Sequence, residues 1–156
     1  MQYTGVYAAT SDSDAFTTAA SVIELQVPAA TVIEVLRMWV GANEGTDPLA
    51  EVQEISIYVN DAAATGGTAL TEQEIRGAGD AASAVASLAA PTIGATPVDV
   101  YFDAFHVQNG WLYLPVPEER ILIIGGTTND NVGLRLPVAP DVSTTFSYGV
   151  VWGELA

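Results

Sequence analysis

The chain has 156 residues, no cysteine, and nineteen Asp and Glu against four Lys and Arg, for a formal net charge of −15 at pH 7. A chain of this length suits one domain that buries roughly 70% of the surface its unfolded form exposes. The lack of cysteine excludes disulfides, thiolate metal sites and cysteine nucleophiles together. The four bases are all arginines, Arg37, Arg76, Arg120 and Arg135, and so acidic a chain repels phosphate backbones and anionic lipid surfaces. Neither nucleic acid nor membrane is therefore an expected partner.

Residues 1–20 (MQYTGVYAATSDSDAFTTAA) carry no basic n-region and no apolar h-region, so no secretory leader is expected. They read as an N-terminal arm or an extra strand. Tyr3, Tyr7 and Phe16 flank a polar break, Ser11-Asp12-Ser13-Asp14, and are candidates to cross to a neighbouring subunit or to grip a larger assembly. Residues 21–156 read as a single domain of short strands. Ser21–Pro28 alternates Ile23, Leu25 and Val27 against Glu24 and Gln26, and Thr31–Gly41 is apolar on both faces, as a central strand would be. Glu51–Asn60 sets Ile55, Ile57 and Val59 against Glu54 and Ser56.

Residues 61–97 are rich in Ala, Gly and Thr and too long for an ordinary connection, which predicts an extended insertion loop that contacts a partner. Its small apolar residues Ala81, Ala82, Val85 and Leu88 suit packing on a neighbour. Within it, Leu70–Arg76 fits about two turns of helix with Thr71 as N-cap and Glu74 at the third position, and its Ile75 and Arg76 are candidate contact residues. Val98–Gln108 then sets Val98, Val100, Phe102 and Ala104 against Asp99, Tyr101 and Asp103, and Gly110–Pro117 is a short strand ended by prolines. Arg120–Gly125, Val132–Val138 and Thr144–Leu155 complete eight strands, with Gln2–Ala9 as a further one. Such a run of short strands with turn signals predicts an all-β sandwich or barrel.

The chemistry-bearing patterns are sparse. Arg120–Val138 holds a Gly-Gly after four aliphatics, but the residues after TTNDN alternate as a strand and contain prolines, where a phosphate loop needs a helix N-terminus and a lysine. His106 is the lone histidine, too few for a transition-metal site. Asn129-Asp130-Asn131 lacks the spacing of a calcium loop. No nucleophile elbow is present, and the scattered acids offer no distinctive catalytic pair. No cofactor and no enzymatic activity are expected. Trp111 and Tyr113 lie two apart on one strand face, which suits either a sugar-stacking platform for a surface glycan or burial in the core or at a subunit interface.

The phrases SVIELQVPAATVIEVLRMWVG, GWLYLPVPEERILIIGG, VGLRLPVAP and YGVVWGEL resemble the small head proteins that decorate or cement the capsids of tailed bacteriophages, over most of the chain from Ser21 onward. The resemblance implies an eight-stranded jelly-roll β-sandwich with a long insertion between the third and fourth strands and an N-terminal arm. In that layout Ser21–Pro28 pairs with Thr144–Leu155, Thr31–Gly41 with Val132–Val138, Glu51–Asn60 with Arg120–Gly125, and Val98–Gln108 forms a tight hairpin with Gly110–Pro117. It further implies a homotrimer on the outer capsid surface of the virion, with the major capsid protein as partner. The alternatives are another jelly-roll virion component, a major capsid or fibre-base protein, and a carbohydrate-binding β-sandwich.

Overall fold

The computed structural model describes residues 2–42, 51–77, 83–141 and 143–155. The strands among them are β1 (Tyr3–Phe16), β2 (Ala20–Gln26), β3 (Val32–Ala42), β4 (Val52–Asn60), β5 (Thr68–Ala69), β6 (Gln73–Gly77), β7 (Ala86–Ala89), β8 (Val98–His106), β9 (Trp111–Tyr113), β10 (Leu122–Ile124), β11 (Asn131–Leu136) and β12 (Thr144–Leu155). One short 3-10 turn, Pro117–Glu119, precedes β10.

Two antiparallel sheets make a sandwich-like arrangement. The first runs β10-β3-β12-β1-β6, with β9 also paired to β3, and the second runs β5-β7-β2-β11-β4-β8. Cross-strand partners share a face, so the register sorts the side chains. In the first sheet Tyr7, Trp152 and Val35 lie side by side, as do Ala9, Val150 and Met38. In the second, Ile23, Leu134 and Ile57 form one row and Leu25, Val132 and Val59 the next. These rows meet in one core, where Tyr7 stacks on Trp152 at 5.9 Å between ring centroids and Phe146 packs against Phe16 and Phe105. Hydrophobic burial over these rows is the main term holding the sheets together.

The central place of β3 agrees with its sequence, but for a more specific reason than two apolar faces. Its register to β12 slips between Val35 and Arg37. Ile33 and Val35 therefore point inward before the slip, and Met38 and Val40 after it, all buried. A bulge shifts the period by one residue, and the string VIEVLRMWV records that shift.

Several expectations are corrected. Of the two readings of the N-terminal segment, arm or extra strand, the structure has the strand: Tyr3–Phe16 runs through the sheet between β12 and β6. Its polar break is a register shift between Ser11 and Asp14, where Asp14 accepts hydrogen bonds from the hydroxyls of Ser11 and Tyr148. Because β1 takes Thr144–Leu155 as its partner, the remaining pairings move by one strand. Ser21–Gln26 lies against β11, not β12; β3 lies against β12, β9 and β10; and β4 lies between β11 and β8. The insertion accordingly follows the fourth strand.

The tight hairpin is also absent. β8 belongs to one sheet and β9 to the other, so the link around Gly110 crosses the end of the sandwich. Gly110 has φ +70, and a Cβ there would sit 2.8 Å from the Val40 carbonyl oxygen, so this crossing requires glycine. The Gly-Gly-Thr-Thr-Asn-Asp turn likewise passes between sheets, from β10 to β11. Leu70–Arg76 is not helical: Gln73–Gly77 pairs with β1 along Gly5–Ala8. A single short helix is marginal in isolation, whereas the open edge of β1 supplies ladder hydrogen bonds at once.

The insertion does not stand out as a loop. β6 extends the first sheet beyond β1, while β7 and β5 extend the second beyond β2. Between them, Ser83 Oγ and Ala84 N donate to Glu154 Oε1 at 2.5 and 3.1 Å. Glu72 Oε1 accepts from both Ser87 N and Ser87 Oγ. Val85 is buried in the chain's own core rather than offered to a neighbour, Leu88 is half-buried, and Ala81 and Ala82 lie outside the described residues.

Candidate interaction surface

Two features stand apart from the core: a buried polar network on the outer face of the second sheet, and an apolar flank along β8, β9 and β10. The network grows from Gly133. A Cβ at this residue would meet the Tyr58 ring at 2.5 Å, so its absence lets Tyr58, the cross-strand neighbour, lie flat across the sheet. The Tyr58 hydroxyl donates to Glu24 Oε2 at 2.7 Å and lies 2.9 Å from Ser21 Oγ. Glu24 Oε1 accepts from Ala64 N at 2.7 Å. The insertion thus closes over a fully buried carboxylate, which the alternating sequence had placed on an exposed face. Burial, reinforced by the neighbouring Glu24 charge, pushes the Tyr58 phenol well above its usual range.

Arg135 extends this network outward. It stacks over Tyr58 and binds Asp99 through Nε and Nη2, at 3.0 and 2.5 Å. Desolvation raises the Asp99 carboxyl, but hydrogen bonds from Arg135 and Ser56 and the guanidinium charge outweigh it, and the net shift is downward. An open cleft of about 430 Å³ lies beside Arg135, bordered by Thr18, Ser21, Pro91, Thr92 and Pro137. Its only charged wall is already paired with Asp99, so it offers no convergent chemistry.

The apolar flank is built from strands that end each sheet. β8 is the outer strand of the second sheet, and β9 and β10 lie beyond β3 in the first. Register pairs Tyr101 with the core residue Ile57 and Phe102 with Ser56, so Tyr101 points inward and Phe102 outward. Tyr101 meets Tyr113 at 5.4 Å and Trp111 at 6.3 Å, which ties β8 to β9. Trp111 Nε1 donates to Asp103 Oδ2 at 3.1 Å and the Tyr113 hydroxyl donates to the Glu119 carbonyl. Much of the flank nevertheless stays open to solvent: Val98, Val100, Tyr101, Phe102, Leu112, Leu114, Val116, Leu122 and Ile124 are between 41% and 68% exposed. The apolar row expected on β8 is therefore real, but its residues are exposed rather than part of the chain's own core.

The residues singled out from sequence do not come together as one surface. Tyr7, Phe16, Trp111 and Tyr113 are buried, so Trp111 and Tyr113 form no open sugar platform: each lies against Tyr101 and the core. Tyr3 donates to Glu34 Oε2 and accepts from Arg120 Nη1, a contact within the first sheet. Ile75 and Arg76 are exposed on β6, across the sheet from the apolar flank. The sequence signal that would have found the flank was an apolar run on a strand next to a proline-broken one, with Val, Val, Phe, Leu, Leu and Val in excess of what one core face requires.

Metal chemistry finds no cluster of three or more His, Asp or Glu side chains among the described residues. His106 Nδ1 accepts from Gln108 N at 3.4 Å. In the polar turn, Asp130 accepts from Gly126 N and from Asn131 Nδ2, which spends its oxygens locally. Compared with family models, curated proteins and solved structures, the chain matches none.

Proposed function

We propose that the protein is a virion structural protein, a decoration or cement protein that binds the outer face of a phage head as a homotrimer and stabilises it by bridging capsomers. The observation that carries this reading is the strand order. Setting the insertion strands aside and counting β9 and β10 as one position, β10-β3-β12-β1 faces β2-β11-β4-β8, which is the order of an eight-stranded jelly roll. First pairs with last and second with seventh, and the chain crosses between sheets at every link except that from β4 to β8, which pair with each other. The acidic, lysine-free composition suits a place outside a DNA-filled shell, and an adhesive role uses apolar surface rather than catalytic groups. The carbohydrate-binding alternative loses its main support with Trp111 and Tyr113 buried.

The test is addition of purified protein to heads that lack it. Saturable binding with a rise in the temperature at which heads release DNA is the expected result. Heads that stay bare and no more stable at saturating protein would remove this reading.

A further inference from the structure

We infer that the β8–β9–β10 flank is the surface through which copies of this chain meet one another, the β8 wall of one copy packing on the β9–β10 wall of the next. The inference rests on the reading above only for its oligomeric part, since self-association does not require a capsid.

Three observations carry it. The first is area. Nine large side chains about half exposed, at roughly 100 Å² each, present on the order of 900 Å². A contact of one wall from each copy therefore buries on the order of 900 Å² in total, at the low end of specific interfaces, and a copy with a neighbour on each side has the whole flank covered. The second is the absence of edge protection. β8 offers nine residues without lysine or proline, the two residues that most often blunt an open edge. Its acids are turned to other uses, Asp99 to Arg135 and Asp103 to Trp111. In a chain of net charge −15, a place where the acids are already bonded is where a second, equally acidic copy can approach.

The third observation is that the flank has two dissimilar walls. One is β8, whose Phe102 shares its face with Ser56 of the second sheet. The other is Leu112, Leu122 and Ile124, which pair with Trp39, Glu34 and Val32 of β3. Two unlike walls, at the same end of the two sheets but on their outer faces, give a heterologous contact, which closes into a ring when the rotation permits.

The experiment is size-exclusion chromatography with light scattering on the wild-type chain and on Phe102→Asp, Leu114→Asp and Ile75→Asp, with near-ultraviolet circular dichroism as the control for folding. A trimeric wild type is expected. Each flank variant should associate at least roughly 30-fold more weakly with an unchanged spectrum, and Ile75→Asp, on the opposite side, should leave the trimer intact. A monomeric wild type, or a trimer unaffected by both flank variants, would overturn the inference. So would a monomer whose binding to heads is lost in Phe102→Asp, because the flank would then belong to the capsid protein. A trimer that fails to bind heads leaves the interface standing and removes only the decoration role. A mixed cross-link settles the walls: the chain has no cysteine, so Phe102→Cys and Leu112→Cys should join across copies only when the two variants are combined. Efficient joining of Phe102→Cys to itself would mean a two-fold contact and contradict the ring.

Discussion

The two flanks of the sandwich solve the same problem in opposite ways. On the β1–β2 side each sheet is extended by strands of the insertion, and what remains at the margin is well defended. β5 is two residues long, and β6 carries Gln73, Glu74 and Arg76. On the β8–β10 side the last strand of the second sheet is nine residues long, apolar and open. Unpaired edges invite addition of another strand, so one flank is finished by the chain itself while the other requires a neighbour. The long insertion therefore seals one side, and the proposed contact surface lies on the side without it.

One matched pair of substitutions would break this comparison most sharply. Val85→Asp on the sealed flank places an uncompensated charge in the core and should cost about 3–5 kcal/mol, enough to unfold much of a marginally stable domain. The same change of chemistry at Phe102 should shift monomer stability by no more than about 0.5 kcal/mol. Urea unfolding of both variants, at concentrations where the chain is monomeric, measures the difference. Equal costs would mean that the flanks are not distinct.

A smaller effect is expected at the seal itself. Glu24→Ala strips the acceptor from Ala64 N–H and one partner from the Tyr58 hydroxyl, both buried, and should cost about 3 kcal/mol. Thermal melting should fall by about 6–12 °C, with protease cutting appearing first within residues 61–77. Cutting first in β8 would place the weak point on the wrong flank.

The smallest effect concerns pH. The folded Asp99 carboxyl lies below its unfolded value, so its pairing with Arg135 contributes stability that is present above the unfolded value near pH ~4. That contribution is lost as pH falls through the lowered folded value. Asp99→Asn should lower neutral-pH stability by less than about 1 kcal/mol and leave stability below the folded value unchanged, so this part of the acid limb flattens. An acid limb identical to wild type would show that the pair contributes nothing.

Much of the fold was legible because the period of two is robust. β2, β4, β11 and β12 lie close to where alternation placed them, and TTNDN was legible as the turn between two strands. The failures have separate physical causes. β1 was obscured by Gly5 and by the Ser11–Asp14 register shift, which breaks alternation in the middle of a strand. β6 was read as helix because local propensity speaks before the partner strand is known. Glu24 looked exposed because alternation assigns a face without saying what covers it; its burial depends on Tyr58, Gly133 and Ala64, which lie far away in sequence. The candidate site was missed for the converse reason. Alternation correctly found an apolar row on β8, but sequence alone could not say that this row lies on an outer strand, where the same residues make a contact surface instead of a core.

The most direct test of the difference between the flanks is amide hydrogen exchange followed by mass spectrometry, as a function of protein concentration. Amides of residues 98–104 should exchange rapidly in dilute protein and become protected as the concentration rises, while those of β1 and β2 stay protected throughout. Exchange in β8 that is slow at every dilution, or fast at every concentration, would contradict the account that this flank is completed by another copy of the chain.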